Sequence, residues 1–259
     1  MDATPALPRI GKTARDDAWW IAPLATAAGL TAFGAYSLFA AAQGSHFLYT
    51  GRGAHYLSPF YSPDLQSMFG FDAPLSGAFL VLWAPLGLRL TCYYYRKAYY
   101  RSFFRSPVAC AVPGPARRRY RGETAFPFLL QNAHRYFFYF ATIVIGFLWY
   151  DAGRAFLFTS GSGGHELGVG LGSLVLLANV AALSMFTFGC NSFRHLIGGN
   201  LNCFSCSLST RVRHRMWLGV TVLNIRHANW AWISLATVGL TDLYVRLAAA
   251  GVFNDPRIF

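Results

Sequence analysis

The chain has 259 residues, 54% of them hydrophobic and only 12% charged, against roughly a quarter charged in an average soluble domain. A mean hydropathy of +0.34 and an aromatic content of 17% describe a polytopic membrane protein and exclude an ordinary soluble domain. The net charge of +12 lies mostly in loops between apolar runs, which fits membrane orientation and not nucleic-acid binding, and five cysteines without secreted-domain spacing argue against a disulfide framework.

Five segments are long and apolar enough to cross about 30 Å of hydrocarbon, which takes roughly 20 helical residues. The first runs from Trp19 to Ala42 behind Arg9, Lys12 and Arg15. Its apolar stretch exceeds the roughly 7–15 residues of a signal-peptide core, so it reads as a retained helix. The second runs from Leu75 to Tyr95, with Pro85 and Arg89 inside it. The third, Phe128 to Tyr150, is opened by Thr124 and Pro127 as a cap-like residue and an early-turn proline. Trp149, Tyr150 and Asp151 mark its far interface, and Gly161-Ser162-Gly163-Gly164 forms the next turn. The fourth, Leu167 to Gly189, carries Asn179 at mid-span, where it is expected to hydrogen-bond across the bundle. The fifth, His227 to Ala250, contains Asp242 and Arg246 at the spacing of an intrahelical ion pair.

Residues 1–259 therefore read as one all-α domain, a bundle of five transmembrane helices in the cell membrane. Sixteen of the 22 Lys and Arg fall in the N-terminal tail and in the stretches Arg96–Arg121 and Asn191–Arg226, while the two intervening loops hold only Arg52 and Arg154. The positive-inside rule then places the N-terminus in the cytoplasm and the C-terminus outside.

Cys92, His134, Cys190 and His227 each fall within about one turn of the cytoplasmic end of a different span. A lone cysteine in an apolar helix is more often a small core residue than a ligand, and a lone histidine near an interface more often satisfies a carbonyl. Two thiols and two imidazoles at one depth, on four helices, point instead to a metal or redox site. Two ligand sets fit. The histidines could hold a haem iron axially, or all four could hold a Rieske-type [2Fe–2S] centre, in which histidines replace cysteines on one iron.

Arg135, Tyr136, Tyr94, Arg96 and His195 stand at the same interface and could serve a quinone, although Tyr and Arg there are also ordinary anchors. An outer site near Trp149, Tyr150, Asp151 and Arg154 is the alternative. Cys203 and Cys206 form a Cys-x-x-Cys, a pattern that can ligate zinc or an iron–sulfur cluster but that, with no second pair nearby and only His214 in reach, reads as a free or surface pair; Cys110 reads as structural, and His46, His55 and His165 as external.

The run from Cys92 to Phe103, CYYYRKAYYRSF, resembles the second-helix exit of actinobacterial succinate dehydrogenase membrane anchors. So do Gln131–Phe137 (QNAHRYF), Cys190–His195 (CNSFRH), and His227 with Trp230–Leu235 and Asp242–Val245. The resemblance is to the mycobacterial type, in which one five-helix subunit carries a flavoprotein and an iron–sulfur protein. It implies the non-flavin membrane subunit of a respiratory complex II, with dicarboxylate chemistry in a partner and electrons passing to quinone, menaquinone above all. It also implies a Rieske-type cluster on Cys92, His134, Cys190 and His227, with haem b as the alternative. A small-solute transporter is the rival from another class, and would show broken helices and polar groups meeting at the midplane; a purely structural scaffold would leave the four ligands unexplained.

Overall fold

The computed structural model describes residues 10–70, 76–115, 122–160 and 163–259. The chain is mostly helical. In order come α1 (Ile21–Gln43), a short hairpin of β1 (Leu48–Tyr49) and β2 (Tyr56–Leu57), α2 (Leu65–Phe69), α3 (Gly77–Thr91) and α4 (Tyr93–Ser102). A 3-10 turn at Phe128–Ala133 leads into α5 (His134–Arg154), followed by a second hairpin of β3 (Leu157–Thr159) and β4 (His165–Leu167). Then come α6 (Leu171–Phe188), α7 (Asn191–Gly198), α8 (Leu208–Ile225) and α9 (His227–Ala249).

Among the described residues, three helices are long and apolar enough to cross a membrane: Ile21–Gln43, Phe128–Arg154 and Leu171–Phe188. The apolar helix Gly77–Thr91 is shorter, at 15 residues. The second expected span does not run unbroken to Tyr95: Cys92 takes an extended conformation (φ −65°, ψ 130°) and starts α4 as its cap residue. Cys190 does the same between α6 and α7 (φ −68°, ψ 144°), its sulfur accepting from the Ser192 amide at 3.4 Å. Each cysteine thus occupies a break between a long apolar helix and a short polar one. The fourth expected span begins at Leu171, because His165–Leu167 pairs as a strand with Leu157–Thr159. The Leu75 start of the second span, and Gly161 and Ser162 of the expected turn, lie outside the described residues.

The chain divides into two compact units, Met1–Ala35 with Arg89–Ala133, and Tyr36–Leu88 with His134–Phe259. In the first, the N-terminal stretch is tied to residues 110–113: the Gly11 amide donates to the Pro113 carbonyl at 2.9 Å, Thr13 to that of Ala111 at 2.9 Å and Arg15 to that of Cys110 at 2.9 Å. Cys110, expected to be structural, is an exposed free thiol that contributes only its backbone to these bonds.

In the second unit, α6 packs against both α5 and α9. Phe138, Ala141 and Ile145 from α5, Leu176 and Val180 from α6, and Ala231, Leu235 and Val245 from α9 are buried. The opposite faces are no more polar: Phe140, Ile143, Leu174, Leu177 and Leu240 are exposed. Helices apolar on both faces suit a lipid surround.

Asp242 and Arg246 form the expected ion pair at 2.8 Å, with side chains 0% and 7% exposed. Asn179 corrects the reading above. It is 1% exposed, and among the described residues neither its amide nitrogen nor its oxygen has a hydrogen-bond partner. At the other end of the α6–α9 pair, the C-terminal tail is stitched to the start of α6. Ile258 donates to the Val169 carbonyl at 2.7 Å and Leu171 to that of Pro256 at 3.1 Å. Buried Asp255 accepts from the Gly172 amide at 2.8 Å, from the Tyr56 hydroxyl at 2.8 Å and from Tyr244.

Candidate functional site

The start of α5, the end of α6 and the start of α9 meet at one end of the second unit. His134 is the first residue of α5, and its Nε2 lies 2.9 Å from the Cys190 sulfur. The same ring also hydrogen-bonds the Leu88 backbone. That second bond fixes how the imidazole is turned, which is how proteins orient histidines that face a metal. Cys190 is buried, 4% exposed, and not in a disulfide.

His227 opens α9 and stacks on Phe186, with ring centroids 4.9 Å apart and planes 13° from parallel. It flanks the residue before Cys190: a Cβ on Gly189 would stand 3.4 Å from His227 Nδ1 and 2.6 Å from the Met185 carbonyl oxygen. The Met185 carbonyl leaves no room for a Cβ, while the distance to His227 is an ordinary van der Waals approach. Asn224, near the end of α8, donates to the Gly189 carbonyl at 2.8 Å and holds the same turn.

The structure therefore gathers His134, Cys190 and His227 at one end of one unit, with a direct contact between the first two. Cys92 lies in the other unit, 3% exposed. Among the described residues, no group of three or more His, Cys, Asp or Glu is placed to hold a metal ion. Sequence reasoning missed Leu88, Phe186, Gly189 and Asn224. Of these, only the Gly-Cys dipeptide gave a signal, since glycine beside a candidate ligand marks a close backbone approach.

The five candidate quinone residues are divided between the two units. Arg135 and His195 come together, with Nη2 to Nδ1 at 2.6 Å. A guanidinium can only donate, so Nδ1 of His195 accepts in this contact and Nε2 is the ring's donor. His195 itself is exposed. Tyr136, on α5, is 67% exposed. In the first unit, Arg96 is engaged with Glu123 at 3.0 Å and lies 4.8 Å from the Tyr93 ring centre, while Tyr94 packs edge-on against Tyr95. Cys203 and Cys206, read above as a free pair, are joined in a disulfide, and Phe204 between them packs on His214 with ring centroids 4.7 Å apart.

Residues 21–251 match the profile of the actinobacterial succinate dehydrogenase subunit SdhC. The chain is 44% identical to a chain of the Mycobacterium smegmatis Sdh1 complex in the apo form, covering 99% of this chain and 97% of that one, with a TM-score of 0.82. No curated protein matches. A profile that spans nearly the whole chain, and a structural match over both chains' full lengths, lead to one conclusion: this protein belongs to the actinobacterial succinate dehydrogenase SdhC family and is a membrane subunit of such an enzyme.

Proposed function

We infer that this chain anchors a succinate:quinone oxidoreductase and passes electrons from a partner iron–sulfur subunit to quinone, menaquinone above all. Succinate is oxidised in a partner flavoprotein. Helices α1, α3, α5, α6 and α9 are its five crossings, with the N-terminus cytoplasmic and the C-terminus external, as the distribution of basic residues requires.

Cys92, His134, Cys190 and His227 are the ligands of a Rieske-type [2Fe–2S] cluster in this reading. The observation that carries it is the His134–Cys190 contact between the start of α5 and the end of α6. The donor set fits the cluster: a thiol and an imidazole side by side, the imidazole steadied by a backbone bond and a second imidazole beside the adjacent glycine. Cys92 enters on its sequence position and on sharing with Cys190 an extended break after an apolar helix. When bound, such a cluster supplies one-electron transfer at a potential raised toward that of quinones. Arg135 holds His195 through Nδ1, leaving Nε2–H as a donor for a quinone carbonyl, and Tyr136 stands exposed on the same helix as Arg135. Tyr94 and Arg96 are the remaining candidates, Arg96 already committed to Glu123.

Spectroscopy of the reduced complex tests the reading. Iron with acid-labile sulfide beyond the partner's clusters, and an anisotropic EPR signal, are expected; a Soret band without that iron would assign haem b instead. The double variant His134→Ala/His227→Ala is expected to lose quinone reduction while still oxidising succinate with artificial dyes. Unchanged quinone turnover in an assembled double variant would remove the ligand role.

A further inference from the structure

The end of the second unit away from Cys190 holds a cavity of about 480 Å³, within the roughly 300–1,000 Å³ of small-molecule sites. Its walls come from the loop after β1, the last turn of α5 and the β3–β4 hairpin. Arg154, His55 and His165 line it, together with the hydroxyl residues Thr50, Thr159 and Ser160. No carboxylate is among the lining residues. Two acids lie nearby: Asp151 accepts from Ser62 and also feels the charges of His55 and Arg154, while Glu166 accepts from Ser160 and pairs with Arg257 at 3.5 Å. Burial, and then the Arg154 guanidinium, pull the His55 imidazole below its ordinary pKa, with Asp151 acting in the opposite direction.

The wall is built, not incidental. Gly53, at φ +77°, presses on β3 so closely that a Cβ there would stand 2.5 Å from the Thr159 carbonyl oxygen. Depth also matters. Helix α5 has 21 residues, about 30 Å at 1.5 Å per residue, so Arg154 lies a bilayer's thickness from His134. Trp149 and Tyr150, exposed just before Arg154, mark the headgroup level.

We propose that this cavity is a phosphate-binding site, in which Arg154, His55 and His165 receive a phosphate group at the membrane surface remote from the thiol–imidazole pair. Guanidinium and imidazole N–H groups make strong charge-assisted bonds to phosphate oxygens, and basic pockets at the ends of transmembrane helices suit lipid head groups. The phosphate is that of an anionic lipid or a free ion, and the two are separable.

The test uses the full chain in detergent, with native mass spectrometry of added phosphatidylglycerol or phosphatidylcholine and phosphorus NMR of added inorganic phosphate. Phosphatidylglycerol is expected to bind about tenfold more tightly than phosphatidylcholine, a difference of about 1.4 kcal/mol. Arg154→Gln and His165→Gln should each reduce that preference; both positions are exposed, and helicity by circular dichroism checks the fold. Loss of phosphatidylglycerol binding in the variants, with no binding of inorganic phosphate, supports the site and assigns it a head group. Inorganic phosphate that binds the wild type and not the variants supports the site and assigns a free ion. Equal binding of both lipids without phosphate binding, or a preference undiminished in both variants, overturns the proposal. None of these readouts depends on iron or quinone, so they stand or fall apart from the redox reading.

Discussion

Asp242 shows how a charge is kept inside a lipid-facing bundle. Its carboxylate accepts from Arg246 Nε at 2.8 Å, from the Tyr36 hydroxyl at 2.6 Å and from Ser58. Arg246 spends its other N–H groups on Gln43 at 2.9 Å, on the Ser45 carbonyl at 2.8 Å and on the Ala40 carbonyl at 2.6 Å. Removing the carboxylate leaves a buried cation without its counter-charge. Asp242→Asn is expected to cost about 3–5 kcal/mol, while the double change Asp242→Leu/Arg246→Met costs much less, because it removes both charges. Thermal unfolding in detergent reads both; a double variant as unstable as the single one would contradict this account. The pair was legible in the sequence because its geometry is internal to one helix. Asn179 was misread for the converse reason: its partner had to come from another helix, and facing registers are not written in residue spacing.

At the scale of elements, apolar runs located α1, α5, α6 and α9 to within a few residues, and the four candidate ligands fell at helix ends as expected. The breaks at Cys92 and Cys190 were not legible. Neither site has a proline, and an extended residue between two helices costs too little for composition to betray it. At Cys190 the consequence is structural: the thiol follows a turn that Gly189 closes tightly against the Met185 carbonyl, with His227 in contact beside it. Gly189→Ala places a methyl 2.6 Å from the Met185 carbonyl oxygen, so the turn between His227 and Cys190 must shift. On the proposed ligand role, metal content should fall as if affinity had dropped about 10–100-fold, the usual cost of disturbing a ligand's outer support. Iron analysis of the purified variant, at unchanged helicity, checks it. Full iron occupancy would mean that His227 does not need this turn. The Cys203–Cys206 bond escaped the sequence reading because spacing alone cannot distinguish an oxidised pair from a reduced one.

For the whole molecule, the distribution of basic residues makes a prediction about sidedness. Cys110 is an exposed thiol outside any disulfide, and it lies in the first strongly basic stretch, whereas Cys92 and Cys190 are buried. A membrane-impermeant maleimide should label it several-fold more in inside-out than in right-side-out vesicles; the reverse pattern would invert the orientation. Family membership also removes the transporter reading, and both helix breaks that carry cysteine fall at helix ends. The tail that follows α9 has a further mechanical effect. Asp255 and its neighbours rivet the far end of α9 to the start of α6, while Asn224, three residues before His227, ties the end of α8 to Gly189 at the close of α6. A pair of rods riveted at one extremity resists sliding lengthwise there. The register of His227 against the Cys190 turn is thereby gauged in part from some 27 Å away, the length of an 18-residue helix, and loosening that remote rivet would detune it without touching either side chain.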